Sequence, residues 1–444
     1  MPFSRLHGCD DRVWVGGEMT GSLTPRAQRI LRTGIVVKVL VASFLSCGQF
    51  AAAQAKNSCL DYHSSLPEPL GVSADVFSQN IHAQKGLTCA ACHGGDASSD
   101  DPEKAMSRAA GWKGKIERSQ IPELCASCHA DAELMKKYNP RLRVDQFQQY
   151  KTSVHGQRWA EGESKVAVCT DCHGVHELRA PSDPRSKVHP ANIATTCSHC
   201  HAGAEYMKPY GIKTDQFANY QESVHHEAMV VRGDLSAPTC TTCHGNHGAT
   251  PPGVANVTNV CSNCHVFQAQ LFDASPHRAV FAAGGFPGCV TCHSNHGIKH
   301  PTDEMIGMGE KAFCVQCHTE GDEGAKKAVA MHDRLASLAA AIAASDDLLD
   351  HAERQGMEVS QAKLQQAQAR DALLKARVAV HSFRDVDLKR DTDAGLAIAR
   401  QTRAAGEQAM AEWKFRRVGL GISVLAIAVA VIGLGLYIRN IEAS

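Results

Sequence analysis

Cys169-Thr170-Asp171-Cys172-His173-Gly174-Val175-His176 decides how this chain is read. Two thiols three positions apart, followed at once by an imidazole, form the attachment sequence of c-type haem. The thiols make thioethers to the porphyrin vinyl groups, and the histidine is held under the iron as its proximal ligand. The string occurs eight times. Cys89 and Cys92 precede His93, Cys125 and Cys128 precede His129, Cys169 and Cys172 precede His173, and Cys197 and Cys200 precede His201. Cys240 and Cys243 precede His244, Cys261 and Cys264 precede His265, Cys289 and Cys292 precede His293, and Cys314 and Cys317 precede His318. Eight covalently bound c-type haems are therefore expected within one short stretch. Macrocycles rather than a large apolar core should fill that interior, in keeping with an aromatic content of only 5%. Zinc sites combine cysteine pairs in fours at loose spacing, with no demand for a histidine after every second cysteine. All eight pairs carry one, so zinc is set aside.

The motif region repeats. Aromatic-x-x-Ser/Asn-x-His occurs at Phe77 to His82, Tyr150 to His155, Tyr220 to His225 and Phe272 to His277. Each copy precedes two attachment motifs, which divides the region into four two-haem modules at about 77–129, 150–201, 220–265 and 272–318. Short helices are expected around Pro140–His155 and Lys213–His225, irregular loops elsewhere, and almost no sheet.

An electron carrier needs both axial positions of each iron filled, whereas a catalytic haem keeps one open. Of the 24 histidines, eight are proximal. Two further groups repeat with the modules: His82, His155, His225 and His277 end the aromatic strings, and His176, His247 and His296 stand three residues after a proximal histidine. At that offset a histidine cannot reach the far face of its own haem, so it should serve a neighbour. These seven are the expected distal ligands. The first module has Asp96 at the corresponding place, so an eighth ligand is sought among His63, His189, His300, Met305 and Met308; His351 and His381 read as helix-surface positions.

Residues 1–55 read as an export signal, with Met19 as an alternative start: basic residues precede the apolar run from Val39 to Phe50, and Ala53-Gln54-Ala55 fits a cleavage site. Cys47 follows an imperfect lipoprotein signal. The haem domain spans 56–321. Residues 322–415 are rich in Ala, Gln, Leu and Arg with helical periodicity (Leu335, Leu338, Ile342, Leu349, then Leu364, Ala367, Leu374, Val378), which predicts a hairpin or three-helix bundle broken at Gly356 and turning at Asp385 to Asp393. From 416 the chain is an anchor. Val418 to Ile438 carries no charge and is long enough to cross a bilayer as one transmembrane helix. The fold class expected is mainly α with extensive loops. The 46 basic and 46 acidic residues balance, which gives no reason to expect nucleic acid as a partner.

Through Cys-x-x-Cys-His-Gly-x-His and Tyr-x-x-Ser-x-His, residues 60–320 resemble the multihaem cytochromes c built from doubled attachment motifs. These include periplasmic electron-transfer proteins and, more distantly, the membrane-anchored quinol oxidisers, whose anchor is N-terminal. Haem is attached to thiols on the outer side of the bacterial inner membrane, so the C-terminal span is expected to make a single-pass inner-membrane protein with its haems in the periplasm and its C-terminus in the cytoplasm. Electrons would pass between a quinol-linked membrane partner and a periplasmic or outer-membrane acceptor. The rival is a multihaem oxidoreductase with one five-coordinate haem, akin to hydroxylamine oxidoreductases or to nitrite and tetrathionate reductases. Such nitrite reductases replace one proximal histidine by lysine, and hydroxylamine oxidoreductases crosslink a downstream tyrosine. Here every motif ends in His, and no tyrosine lies between Tyr220 and Tyr437.

Overall fold

The structure, a computed structural model, describes residues 56–249 and 260–443. The expected export signal and Cys47 lie outside the described residues. Among the described residues there is no strand. Up to about residue 322 the chain forms short helices and 3₁₀ turns joined by loops, and the attachment motifs sit on many of them: Cys169–His173, Ile193–His201, Cys240–His244 and Cys289–His293 are examples. After the first motif of each module the chain leaves its helix through a residue with positive φ: Gly94, Gly174, Gly245 and Ser294. At Ser294 (φ 64°, ψ −172°) a side chain occupies a region that is nearly glycine-only and costs about 1–3 kcal/mol. The expected early helices form as Gln146–Thr152 with Val154–Ala160, and as Gln216–Gln221 with Val224–Val230.

Three long helices follow, α1 (Glu323–Arg354), α2 (Ser360–Ala379) and α3 (Asp385–Glu442). They pack as a bundle. In α1 the buried positions Met331, Leu335, Leu338, Ile342, Ser345, Leu349 and Ala352 alternate steps of four and three. Leu388, Thr392, Gly395, Ala399, Thr402, Gly406 and Ala409 do the same in α3. That heptad spacing keeps one seam facing the partner helices. Small residues on α3 admit the leucines of α1: a Cβ at Gly395 would lie 2.9 Å from both Leu338 methyls.

Two local expectations are corrected. Leu364 and Leu374 are exposed, and α2 instead turns Ala362, Gln366, Ala369, Leu373 and Ala376 inward. Asp385 to Asp393 is helix, not turn; the chain reverses at Val380–Arg384, and Asp385 and Asp387 occupy the first turn of α3, where the helix dipole favours acidic residues. The break at Gly356, in the left-handed region (φ 78°), is as expected.

One bundle layer is polar. Ser345 Oγ lies 2.9 Å from Thr402 Oγ1, which donates to Gln366 Oε1 at 2.6 Å, while Gln366 Nε2 donates to the Ile342 carbonyl at 3.0 Å. All three side chains are fully buried. Gln366→Ala removes two buried hydrogen bonds and opens a cavity, while Thr402 Oγ1 keeps the Ile398 and Ala399 carbonyls at 3.1 Å. It should destabilise the bundle by about 3 kcal/mol, read as a lowered midpoint in the denaturation of the helical signal; an unchanged midpoint would show that the layer carries no stability.

At its far end α3 exposes Val418 through Ile438, a stretch long and apolar enough to cross a membrane.

Candidate cofactor-binding site

In the first three modules the aromatic string is a helix-capping device. Ser153 Oγ accepts from Gly156 N at 3.0 Å and donates to the Tyr150 carbonyl at 2.6 Å, so it caps Val154–Ala160 and holds His155 in the first turn. Ser223 repeats this with His226 N and the Tyr220 carbonyl. In the first module Asn80 Oδ1 accepts from His82 N at 2.8 Å. These caps are almost wholly buried, which fixes the direction of each imidazole. The tyrosine hydroxyls donate to the carbonyls of Ala167 (2.9 Å) and Pro238 (3.1 Å), two residues before Cys169 and Cys240, and so bind each string to the first motif of its own module.

A second set of bonds joins consecutive modules. Ile81 N donates to the Leu178 carbonyl at 2.8 Å, Asn80 Nδ2 to the His176 carbonyl at 2.9 Å, and Val224 N to the Ile298 carbonyl at 2.9 Å. In the first and third modules the residue just before the string histidine thus docks on the segment after the next module's first motif. In the fourth module that residue is Pro276, which has no N–H to give.

The proximal rings face partners in a regular scheme. The string histidine of each module faces the second proximal ring of the same module: His82–His129 at 5.9 Å between ring centres, His155–His201 at 6.2 Å, His225–His265 at 6.4 Å and His277–His318 at 6.1 Å. The histidine three residues after a motif faces the first proximal ring of the preceding module: His247–His173 at 6.0 Å and His296–His244 at 6.1 Å. His176 acts on His93 in the same sense, with His63 also within electrostatic range and Trp112 against the ring at 5.7 Å. Burial pushes the imidazoles of His82, His129, His155, His201, His247, His277, His293 and His296 below the ordinary histidine range, and that of His173 to about 4. They are held neutral, the form that ligates metal.

These residues fit haem. Two imidazoles on opposite sides of one metal, each nitrogen about 2 Å from it, place their ring centres a little over 6 Å apart. The facing pairs stand at that separation, whereas Phe383 contacts His277 directly at 4.0 Å. His277 Nδ1 is buried without a hydrogen-bond partner.

The thiols add an order along the chain. Cys125 hydrogen-bonds Cys169, Cys197 hydrogen-bonds Cys240, and Cys261 hydrogen-bonds Cys289, so the second motif of one module abuts the first of the next. That contact holds the Cys261 thiol at about 7. Within modules, the second cysteines act on one another: Cys92 with Cys128, Cys172 with Cys200, Cys243 with Cys264, and Cys292 with Cys317. The eight motifs therefore follow one another in space as they do in sequence.

Of the places considered for an eighth ligand, His63 Nδ1 bonds the Leu70 carbonyl at 2.9 Å near His93. His189 caps a 3₁₀ turn, its Nδ1 accepting from Ala191 N at 3.3 Å. His300 is exposed. His381 was misread as a helix-surface residue: it lies in the turn Val380–Ser382, with its ring 6.0 Å from that of His293. The helical periodicity on either side of it gives no sign of a ligand at that position.

The cytochrome c3 family model matches residues 81–202, and the doubled CXXCH motif model matches 230–270 and 279–323. The C-type polyheme cytochrome OmcC of Geobacter sulfurreducens is 24% identical over 219 residues, covering 44% of this chain and 26% of that protein. The chain thus spans about a quarter of the length of the curated relative it matches. No solved structure matches. With the motifs, these similarities make the chain a multihaem cytochrome c with doubled Cys-x-x-Cys-His motifs.

Proposed function

We propose that this chain is a membrane-anchored octahaem cytochrome that passes single electrons between a quinol-linked inner-membrane partner and a periplasmic or outer-membrane acceptor. The observation that carries this reading is the set of histidine rings facing the proximal imidazoles at about 6 Å. When bound, haem supplies the one-electron chemistry; the chain supplies ligation, spacing and a water-poor surrounding. With His82, His155, His225, His277, His176, His247 and His296 as distal ligands, change of oxidation state involves little rearrangement. The thiol contacts support a linear path from His93 to His318. Haem is attached outside the bacterial inner membrane, which places the motif domain in the periplasm and residues 439–444 in the cytoplasm.

The oxidoreductase alternative retains one place, His93, where an indole lies beside the ring. Low-temperature EPR of the oxidised, haem-loaded protein separates the two readings. The carrier predicts low-spin ferric signals unchanged by nitrite or hydroxylamine. A high-spin signal that responds to either would replace it with the enzyme.

A further inference from the structure

The repeat scheme leaves one proximal imidazole without a module to serve it. His176, His247 and His296 each reach back to the first proximal histidine of the module before them. The fourth module has no successor, and its first motif ends at His293. We propose that His381, from the helical bundle, is the distal ligand opposite His293, so that the bundle closes the haem array as a capping repeat closes a solenoid. This deepens the electron-carrier reading and rests on it.

The ring geometry is that of the other pairs: the centres of His381 and His293 are 6.0 Å apart and their planes 24° from parallel. The tautomer is set as well. His381 Nδ1 lies 3.0 Å from the Val378 carbonyl, and a carbonyl only accepts. Nδ1 therefore carries the hydrogen and Nε2 keeps its lone pair, the backbone-oriented arrangement usual behind a metal-bound imidazole.

The connector holding His381 is built into the fourth module at several points. Phe383 adopts the left-handed region (φ 51°), a strained choice for a bulky residue, and lays its ring on His277 at 4.0 Å. Arg377 of α2 makes a two-pronged bond to Asp303 of the fourth module at 2.9 and 2.8 Å, and within the bundle Arg334 of α1 fixes the start of α3 through Asp385 at 2.6 Å. At the start of α1, Gly324 lies so close to His318 that a Cβ would stand 2.0 Å from that ring. His293 thus faces the bundle where the first proximal histidines of the second and third modules face the next repeat, and His318 lies against the start of α1. Pro276, which lacks the N–H used for docking a successor, agrees with a module built to be last.

The test uses the full-length, haem-loaded protein. In His381→Gly one of the eight irons should change from low to high spin in the difference EPR spectrum against wild type, and added imidazole should restore it. In His381→Met one midpoint potential should rise while the other seven stay, because thioether ligation raises the potential. His351→Ala, on an exposed face of α1, should change nothing. A His381→Gly spectrum identical to wild type overturns the assignment; should that variant not accumulate, unchanged potentials in His381→Met overturn it. A high-spin iron already present in the wild type counts against the carrier reading instead, so the two failures are distinguishable.

Discussion

Replacing Cys240 and Cys243 together by alanine is expected to lower electron transfer between the two ends of the array by orders of magnitude. The pair belongs to the fifth motif, in the interior of the line. Its neighbours meet different cysteines of the pair: Cys197 hydrogen-bonds Cys240, and Cys264 lies within electrostatic range of Cys243. In a linear order, loss of an interior member doubles the gap at one step, and no parallel route compensates. Loss of the first motif, through Cys89→Ala with Cys92→Ala, shortens the line but leaves the rest connected. A photoreductant tethered near His63, with optical detection of arrival at the far end, reads the difference; dithionite should still reduce all seven remaining haems in both variants. End-to-end transfer as fast as wild type in the interior variant would mean that the motifs branch.

Ending the chain after Arg417 should move nearly all of the protein from the membrane to the soluble fraction, with haem spectra and midpoint potentials unchanged. The bundle core ends at Ala409 on α3, and the residues from Val418 onward are exposed along the helix. Removing them takes away apolar surface that nothing among the described residues covers, at no cost to the packing above. Ultracentrifugation of washed membranes followed by haem staining gives the result. A truncated protein that still sediments with membranes would assign attachment to another part of the chain, and a changed spectrum would show that the span supports the haem domain.

The chemistry of this protein is written locally, and its closure is not. A five-residue string declares each thiol pair and proximal imidazole, and the repeats declare the seven histidines that face them. Asp96 marks a gap in the first module, and the candidates for an eighth ligand span both ends of the array, from His63 to His300, Met305 and Met308. The histidine after a motif faces the module before it, so the first proximal imidazole that the repeat leaves without such a partner is His293, the position for which His381 is proposed. The signal was present in the arithmetic of the repeat, together with a histidine in the Val-His-Ser-Phe turn between α2 and α3. The bundle was legible as helix because Leu335, Leu338, Ile342 and Leu349 hold their period. Its second helix was misphased because the seam there is made of alanines and Gln366, so the conspicuous Leu364 and Leu374 lie on the wrong face. The acid-rich start of α3 imitated a turn because carboxylates favour loops and helix N-termini alike.

The length of α3 has one further consequence. From Asp385, beside the last module, to Arg417, before the apolar stretch, the helix rises about 50 Å at 1.5 Å per residue. With the apolar stretch in a bilayer, the haem sites of the last module stand about 50 Å along the helix from the membrane, beyond tunnelling distance from a quinol dissolved there. The helix is then a ruler that sets the altitude at which electrons would have to reach that module.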